Sequence, residues 1–184
     1  MYLTPERYLE IERKAEWKSE YYAGEMAEMA GGNEAHGLIA ANLVALLHSQ
    51  LRRSACRLFA FNMRVNISAT GLYTYPDIVV ACGELKFIDA EADTLLNPVF
   101  IAEILSRSSE AYDRGRKFEH YQTIPTLNEY LLVAQDRIHV DLYTRQSAGA
   151  WLLTSANQLT DTIALPSIHC SVSLAELYEG LPLV

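Results

Sequence analysis

Two apolar runs, residues 77–82 and 99–105, each carry a single carboxylate, and this constrains the chain more than any other feature. The first is Asp77 followed by Ile78, Val79, Val80, Ala81 and Cys82. The second is Val99, Phe100, Ile101, Ala102, Glu103, Ile104 and Leu105. Short β-branched and apolar runs of this kind read as buried strands. A carboxylate in such a strand is costly unless it is paired, hydrogen-bonded or bound to a cation. Two of them at the ends of adjacent strands make a site for a hard cation. Oxygen ligands with room for water suit Mg²⁺ or Mn²⁺.

The segment after the second strand supplies a cation of its own. Residues 110–122 read as one helix, ended before Pro125, and Asp113, Lys117 and Tyr121 stand at i, i+4, i+8 on one face. A strand–turn–helix unit can bring Lys117 beside the two carboxylates. Each residue also has a plainer role. Asp77 follows Pro76 and suits a turn; Glu103 could pair with an arginine such as Arg64; Lys117 could be a solvated helix lysine. Asp113 and Tyr121 suit supporting roles, as helix cap and packing residue. Glu34 and His36, at the head of the first long helix, could approach the site as an extra ligand or base or merely cap that helix.

Thr4, Pro5 and Glu6 open a short N-terminal helix. Residues 20–29 form a hairpin turning at Ala23 and Gly24, and residues 34–54 a long helix. Residues 57–67 read as one strand, with a turn at Gly71. Residues 129–134, 138–144 and 150–155 form a β-meander, and Ser173 with Glu176 opens a last short helix. The expected fold class is α/β (α+β): one domain over residues 1–184, with a central mixed β-sheet flanked by helices.

The net charge of −8 argues against non-specific coating of nucleic acid. Yet residues 35–76 hold no acid and four arginines, and residues 104–121 add Arg107, Arg114, Arg116 and Lys117. An acidic centre flanked by basic segments suits a metal site that handles phosphate, although surface charge also clusters by chance. No run is long enough to span a membrane, and no secretion signal is visible at the N-terminus. Cys56, Cys82 and Cys170 are odd in number and widely spaced. That argues against a disulfide scaffold or cysteine zinc site and points to the cytoplasm.

Three segments together resemble a known family. They are Tyr75-Pro76-Asp77-Ile78-Val79-Val80, then Phe100-Ile101-Ala102-Glu103-Ile104-Leu105-Ser106, then Asp113-Arg114-Gly115-Arg116-Lys117-Phe118-Glu119-His120-Tyr121. This combination resembles the Uma-type restriction endonuclease family, abundant in cyanobacteria, of the PD-(D/E)XK nuclease superfamily. The hairpin with Gly24 and Glu25, His36, and residues 128–133 also fit. The resemblance implies a restriction-endonuclease-like core with Asp77 and Glu103 as metal-holding acids, helped by the backbone carbonyl of Ile104. The superfamily's lysine is expected at position 105, where this chain has Leu105; the resemblance assigns that role to Lys117 on the following helix. Arg107 stands where relatives often have proline.

The expected activity is hydrolysis of phosphodiester bonds in nucleic acid, DNA above all, with Mg²⁺ or Mn²⁺. Arg52, Arg53, Arg64, Arg114 and Arg116 are the expected contacts to the phosphate backbone. A homodimer is expected by analogy with nuclease folds of this size. The alternative is a nuclease-fold binding or assembly module with weak or no turnover. The net acidity and Leu105 favour it.

Overall fold

The computed structural model describes residues 2–29 and 31–181. Helix α1 (Pro5–Glu12) leads into a hairpin of β1 (Ser19–Tyr22) and β2 (Glu25–Glu28). Helix α2 (Glu34–Leu51) follows, then β3 (Cys56–Ala60), β4 (Arg64–Ile67), β5 (Leu72–Thr74), β6 (Ile78–Cys82) and β7 (Thr94–Leu95). Strand β8 (Phe100–Leu105), helices α3 (Glu110–Arg114) and α4 (Arg116–Gln122), and β9 (Glu129–Ala134) come next. The chain ends with β10 (Val140–Arg145), β11 (Trp151–Ala156), β12 (Thr162–Leu165), β13 (Cys170–Ser173) and α5 (Leu174–Leu177).

The fold is mixed α+β. A six-stranded sheet runs in the order β11-β10-β9-β8-β6-β3. Only β8 and β9 are parallel within it; the other pairs are antiparallel. Parallel neighbours need a crossover connection, and α3–α4 supplies it, which brings α4 to the same strand that carries Glu103. A five-stranded sheet, β2-β1-β5-β4-β7, lies to one side, and β12–β13 form a small hairpin.

Strand alternation divides the core. Ile78, Val80, Phe100, Ala102 and Ile104 pack with Ile39, Leu43 and Leu47 of α2 and with the C-terminal β13 and α5. Val79, Ala81, Ile101, Leu105 and Leu132 face the other way, onto Phe118 and Tyr121 of α4 and onto β4 and β5. Each fully buried aliphatic or aromatic chain of this kind contributes about 1.5–3 kcal/mol relative to exposure. Glu103 shares the second face, because it stands two residues from Ile101 and Leu105.

Four expectations need correcting. The single strand over 57–67 is two strands, β3 and β4, in different sheets; the chain turns at Phe61, whose φ is +61°. The helix over 110–122 breaks at Gly115, whose φ of −108° and ψ of −105° leave the helical region. Cys56 and Cys82 are joined by a disulfide, as register partners on the antiparallel pair β3–β6. Counting cysteines could not reveal that register. Arg64 is buried, not a phosphate contact. Its guanidinium bonds to Thr94 and Tyr75 and pairs with Asp93 at 2.9 Å, tying β4 to the segment before β7.

Candidate active site

The antiparallel register of β6 and β8 sets Ile78 opposite Ala102. One residue beyond that pair, Asp77 and Glu103 face each other at the end of the ladder. Each strand's backbone meets the other's carboxylate. The N–H of Ile104 donates to Asp77 Oδ2 at 2.8 Å, and the N–H of Asp77 approaches Glu103 Oε2 at 3.4 Å. Ile104 therefore meets Asp77 through its N–H; its carbonyl was the group expected at the site.

Helix α2 brings the next residue. Asn33 caps it, its side-chain oxygen accepting from the N–H of His36 at 2.9 Å. This fixes His36 in the first turn, and its Nε2 lies 3.1 Å from Asp77 Oδ1. Glu34, two residues earlier, is exposed and does not line the cleft, so the structure does not bring it to the site.

The crossover helices complete the cluster. Lys117 Nζ lies 2.9 Å from Glu103 Oε1, 3.4 Å from Asp113 Oδ1 and 3.3 Å from Glu20 Oε1. Tyr121 donates to the same Glu103 oxygen at 2.7 Å. The hydroxyl of Tyr130 donates to the Asp113 carbonyl at 3.1 Å, which holds the end of α3 against the sheet. Glu20 was not anticipated. It sits on β1, accepts from Thr74 and, at 3.1 Å, from Tyr112. In the sequence it looks like a solvated hairpin glutamate; only the β1–β5 pairing brings it over the cleft.

A cavity of about 1090 Å³ opens over Asp77, Glu103, Asp113, Lys117 and His36. Arg52 and Arg53 follow α2 at the end opposite His36, about 24 Å away by helical rise. Arg114 is held by Glu110 and Asp141, and Arg116 lies over the Tyr22 ring. None of these arginines lines the cleft, so the expected phosphate contacts are not assembled there.

Three carboxylates, Glu103, Asp113 and Glu20, surround the Lys117 ammonium, and Asp77 pairs with His36 beside them. Burial, opposed by Lys117 and reinforced by Asp113 and Asp77, pushes Glu103 up to about 8. Burial likewise raises Asp113. Burial works against the charge on Lys117, yet Glu103, Glu20 and Asp113 outweigh it and hold the ammonium protonated well above the ordinary range. The bond to Asp77 raises His36. Among the described residues no group of three or more His, Cys, Asp or Glu side chains is arranged as a ready metal cage.

These shifts have a sign. The folded chain holds the Glu103 proton more tightly than the unfolded chain does, so stability falls as pH rises from about 4.5 to about 8. Asp113 adds to that slope. His36 adds to it above 6.5, where its raised folded value keeps a proton that the unfolded ring releases. Denaturant unfolding of the metal-free protein should show this decline, and Glu103→Gln should make it distinctly shallower. An unchanged slope in Glu103→Gln would contradict the assignment.

With this geometry in place, comparison with known proteins decides the family. A family model named Uma2, described as "Putative restriction endonuclease", matches residues 5–176. The chain belongs to the Uma2 family. The matched region contains every residue gathered at the cleft. Two uncharacterized proteins of Synechocystis sp. are similar over most of their length. One is 35% identical over 97% of this chain and 93% of its own. The other is 38% identical over 83% of this chain and 86% of its own. Among solved structures, a putative nuclease of Anabaena variabilis, from the group DUF820, superposes with a TM-score of 0.76. The match covers 96% of this chain and 97% of that one at 19% identity, and shows that the Uma2 chain shares a nuclease-like fold. Among the described residues no helix is long and apolar enough to cross a membrane.

Proposed function

We propose that this chain is a divalent-cation-dependent nuclease that hydrolyses phosphodiester bonds, in DNA in particular. The observation that carries the reading is the convergence of Asp77, Glu103 and Lys117 on one open cleft. Family membership and the nuclease-like fold support it.

The donor set fits Mg²⁺ or Mn²⁺. Asp77 and Glu103 offer hard oxygen donors side by side, and among the described residues Glu103 Oε2 has only the long 3.4 Å contact to the Asp77 N–H. A divalent cation would favour the ionised form of Glu103 against the burial that raises it. When bound, the cation supplies Lewis acidity, polarising a phosphoryl oxygen and lowering the pKa of water.

The protein's own groups do the rest. The three N–H groups of the Lys117 ammonium face Glu103, Asp113 and Glu20, and one of these contacts would have to be exchanged for a phosphoryl oxygen as charge builds there. Tyr121 fixes the Glu103 carboxylate from behind. His36, paired with Asp77, can hold or pass a proton at Nε2 at the cleft wall.

A second reading has its own observation. A lysine bonded to three carboxylates is also a structural ion cluster, which would suit a nuclease-fold binding module without turnover. Incubation with labelled single- and double-stranded oligonucleotides separates the two. The nuclease reading expects strand scission with Mg²⁺ or Mn²⁺ and none with chelator. Absence of scission with either ion, in protein that stays folded, favours the binding module.

A further inference from the structure

Two large aromatic side chains at the cleft are not used by the fold. Trp17, between α1 and β1, is 68% exposed, and Phe61, between β3 and β4, is 40% exposed. Both line the cavity that contains Asp77 and Glu103, and among the described residues neither joins a hydrophobic cluster.

Phe61 is held in place at some cost. Its φ of +61° lies in the left-handed region that bulky residues avoid. Its N–H donates to the carbonyl of Asp77 at 2.9 Å, and its carbonyl accepts from Lys18 Nζ at 2.5 Å. The backbone of Phe61 is thus fixed directly across the ladder from Asp77, and its ring stays partly in water. Strain at such a position, without burial in return, marks a functional constraint.

The charge of the cleft points the same way. Its lining carries six acids, Glu16, Glu20, Glu28, Asp77, Glu103 and Asp113. Against them stand His36 and two lysines, with no arginine among the described residues. Lys117 is engaged by three carboxylates, and Lys18 by the Phe61 carbonyl and the face of Tyr75. Duplex DNA is held mainly by cations matched to its dense phosphate charge, and this cleft has few to offer. Base stacking needs no such charge, and every base has a face to stack. A base inside a duplex cannot present that face until it is unpaired.

We infer that the substrate is unpaired nucleic acid, a single strand or a frayed end, whose bases stack on Phe61 and Trp17 beside Asp77 and Glu103. The inference rests on the nuclease reading and names its substrate class.

The test is a fluorescence titration in chelator, where no cation-dependent scission intervenes. Trp17 and Trp151 are the two tryptophans, and Trp151 packs against Phe118 and Arg145 away from the cleft. Full-length Trp151→Phe protein therefore reports Trp17 alone. A thymidine 12-mer should quench it, and a 12-base-pair duplex should quench far less. Affinity for the 12-mer should change less than about tenfold between 50 and 200 mM salt, against roughly 10³–10⁵ for a protein with many phosphate contacts. Phe61→Ala should weaken binding roughly five- to 150-fold, the loss of one stacked base, and Phe61→Tyr should restore it. Equal quenching by duplex, or unchanged affinity in Phe61→Ala, overturns the inference. If scission with Mg²⁺ persists in that case, the nuclease reading survives. If no nucleic acid is cut with either ion, the reading beneath the inference fails too.

Discussion

Lys117→Met should lower phosphodiester turnover by about 10²–10³-fold, the cost of losing one preorganised donor to a developing oxyanion. It should also destabilise the fold. The ammonium is almost fully buried and answers Glu103 at 2.9 Å, Glu20 at 3.3 Å and Asp113 at 3.4 Å. Removing one partner from a buried ion cluster costs about 3–5 kcal/mol, because the remaining charges stay buried without compensation. The two effects separate by pH. Protonation of Glu103 and Asp113, both already raised by burial, can relieve the stranded charge. The stability gap between wild type and Lys117→Met should therefore narrow from pH 8 to pH 5.5 in urea unfolding. Turnover assayed on folded variant should remain low throughout. A variant that cuts at the wild-type rate would make Lys117 a structural residue only.

Asp77→Asn carries the second large effect. The amide keeps an acceptor for the Ile104 N–H, so the strand ends should hold together. What it removes is the charge that faces Glu103. In wild type, Mg²⁺ at a hundred times its dissociation constant should add about 2.7 kcal/mol to stability. For a chain of 184 residues that is roughly 5–11 °C in melting temperature. Asp77→Asn should lose most of that gain and drop turnover more than about a hundredfold. A wild-type melting temperature indifferent to Mg²⁺ and Mn²⁺ would count against cation binding.

Much of the site was legible because burial makes charge conspicuous. Asp77 and Glu103 each stand alone in an apolar run, and strand alternation places Glu103 on the Ile101 and Leu105 face without any knowledge of the fold. The i, i+4, i+8 spacing likewise predicted that Asp113, Lys117 and Tyr121 share a side. That relation survives the break at Gly115, since Lys117 meets both Asp113 and Glu103. Glu20 stayed hidden because its role depends on β1 pairing with β5, a contact between residues some fifty positions apart. Phe61 stayed hidden because the turn also holds Asn62, the residue type that would be expected to take a positive φ, yet it is Phe61 that does. Arg64 misled for the opposite reason. An arginine in an acid-free stretch reads as a phosphate contact, yet its partners, Tyr75, Asp93 and Thr94, arrive from strands and loops later in the chain. The β12–β13 hairpin was missed because its strands are only four residues each and packing against α2, not local propensity, makes them strands.

The proposed nuclease chemistry requires Asp77 and Glu103 together to hold a divalent cation beside Lys117. Anomalous diffraction from crystals soaked in Mn²⁺ tests it most directly. A peak is expected at about 2.1 Å from a carboxylate oxygen of each residue, with Lys117 still in contact with Glu103. No peak at saturating Mn²⁺, or a peak that touches neither carboxylate, would contradict it.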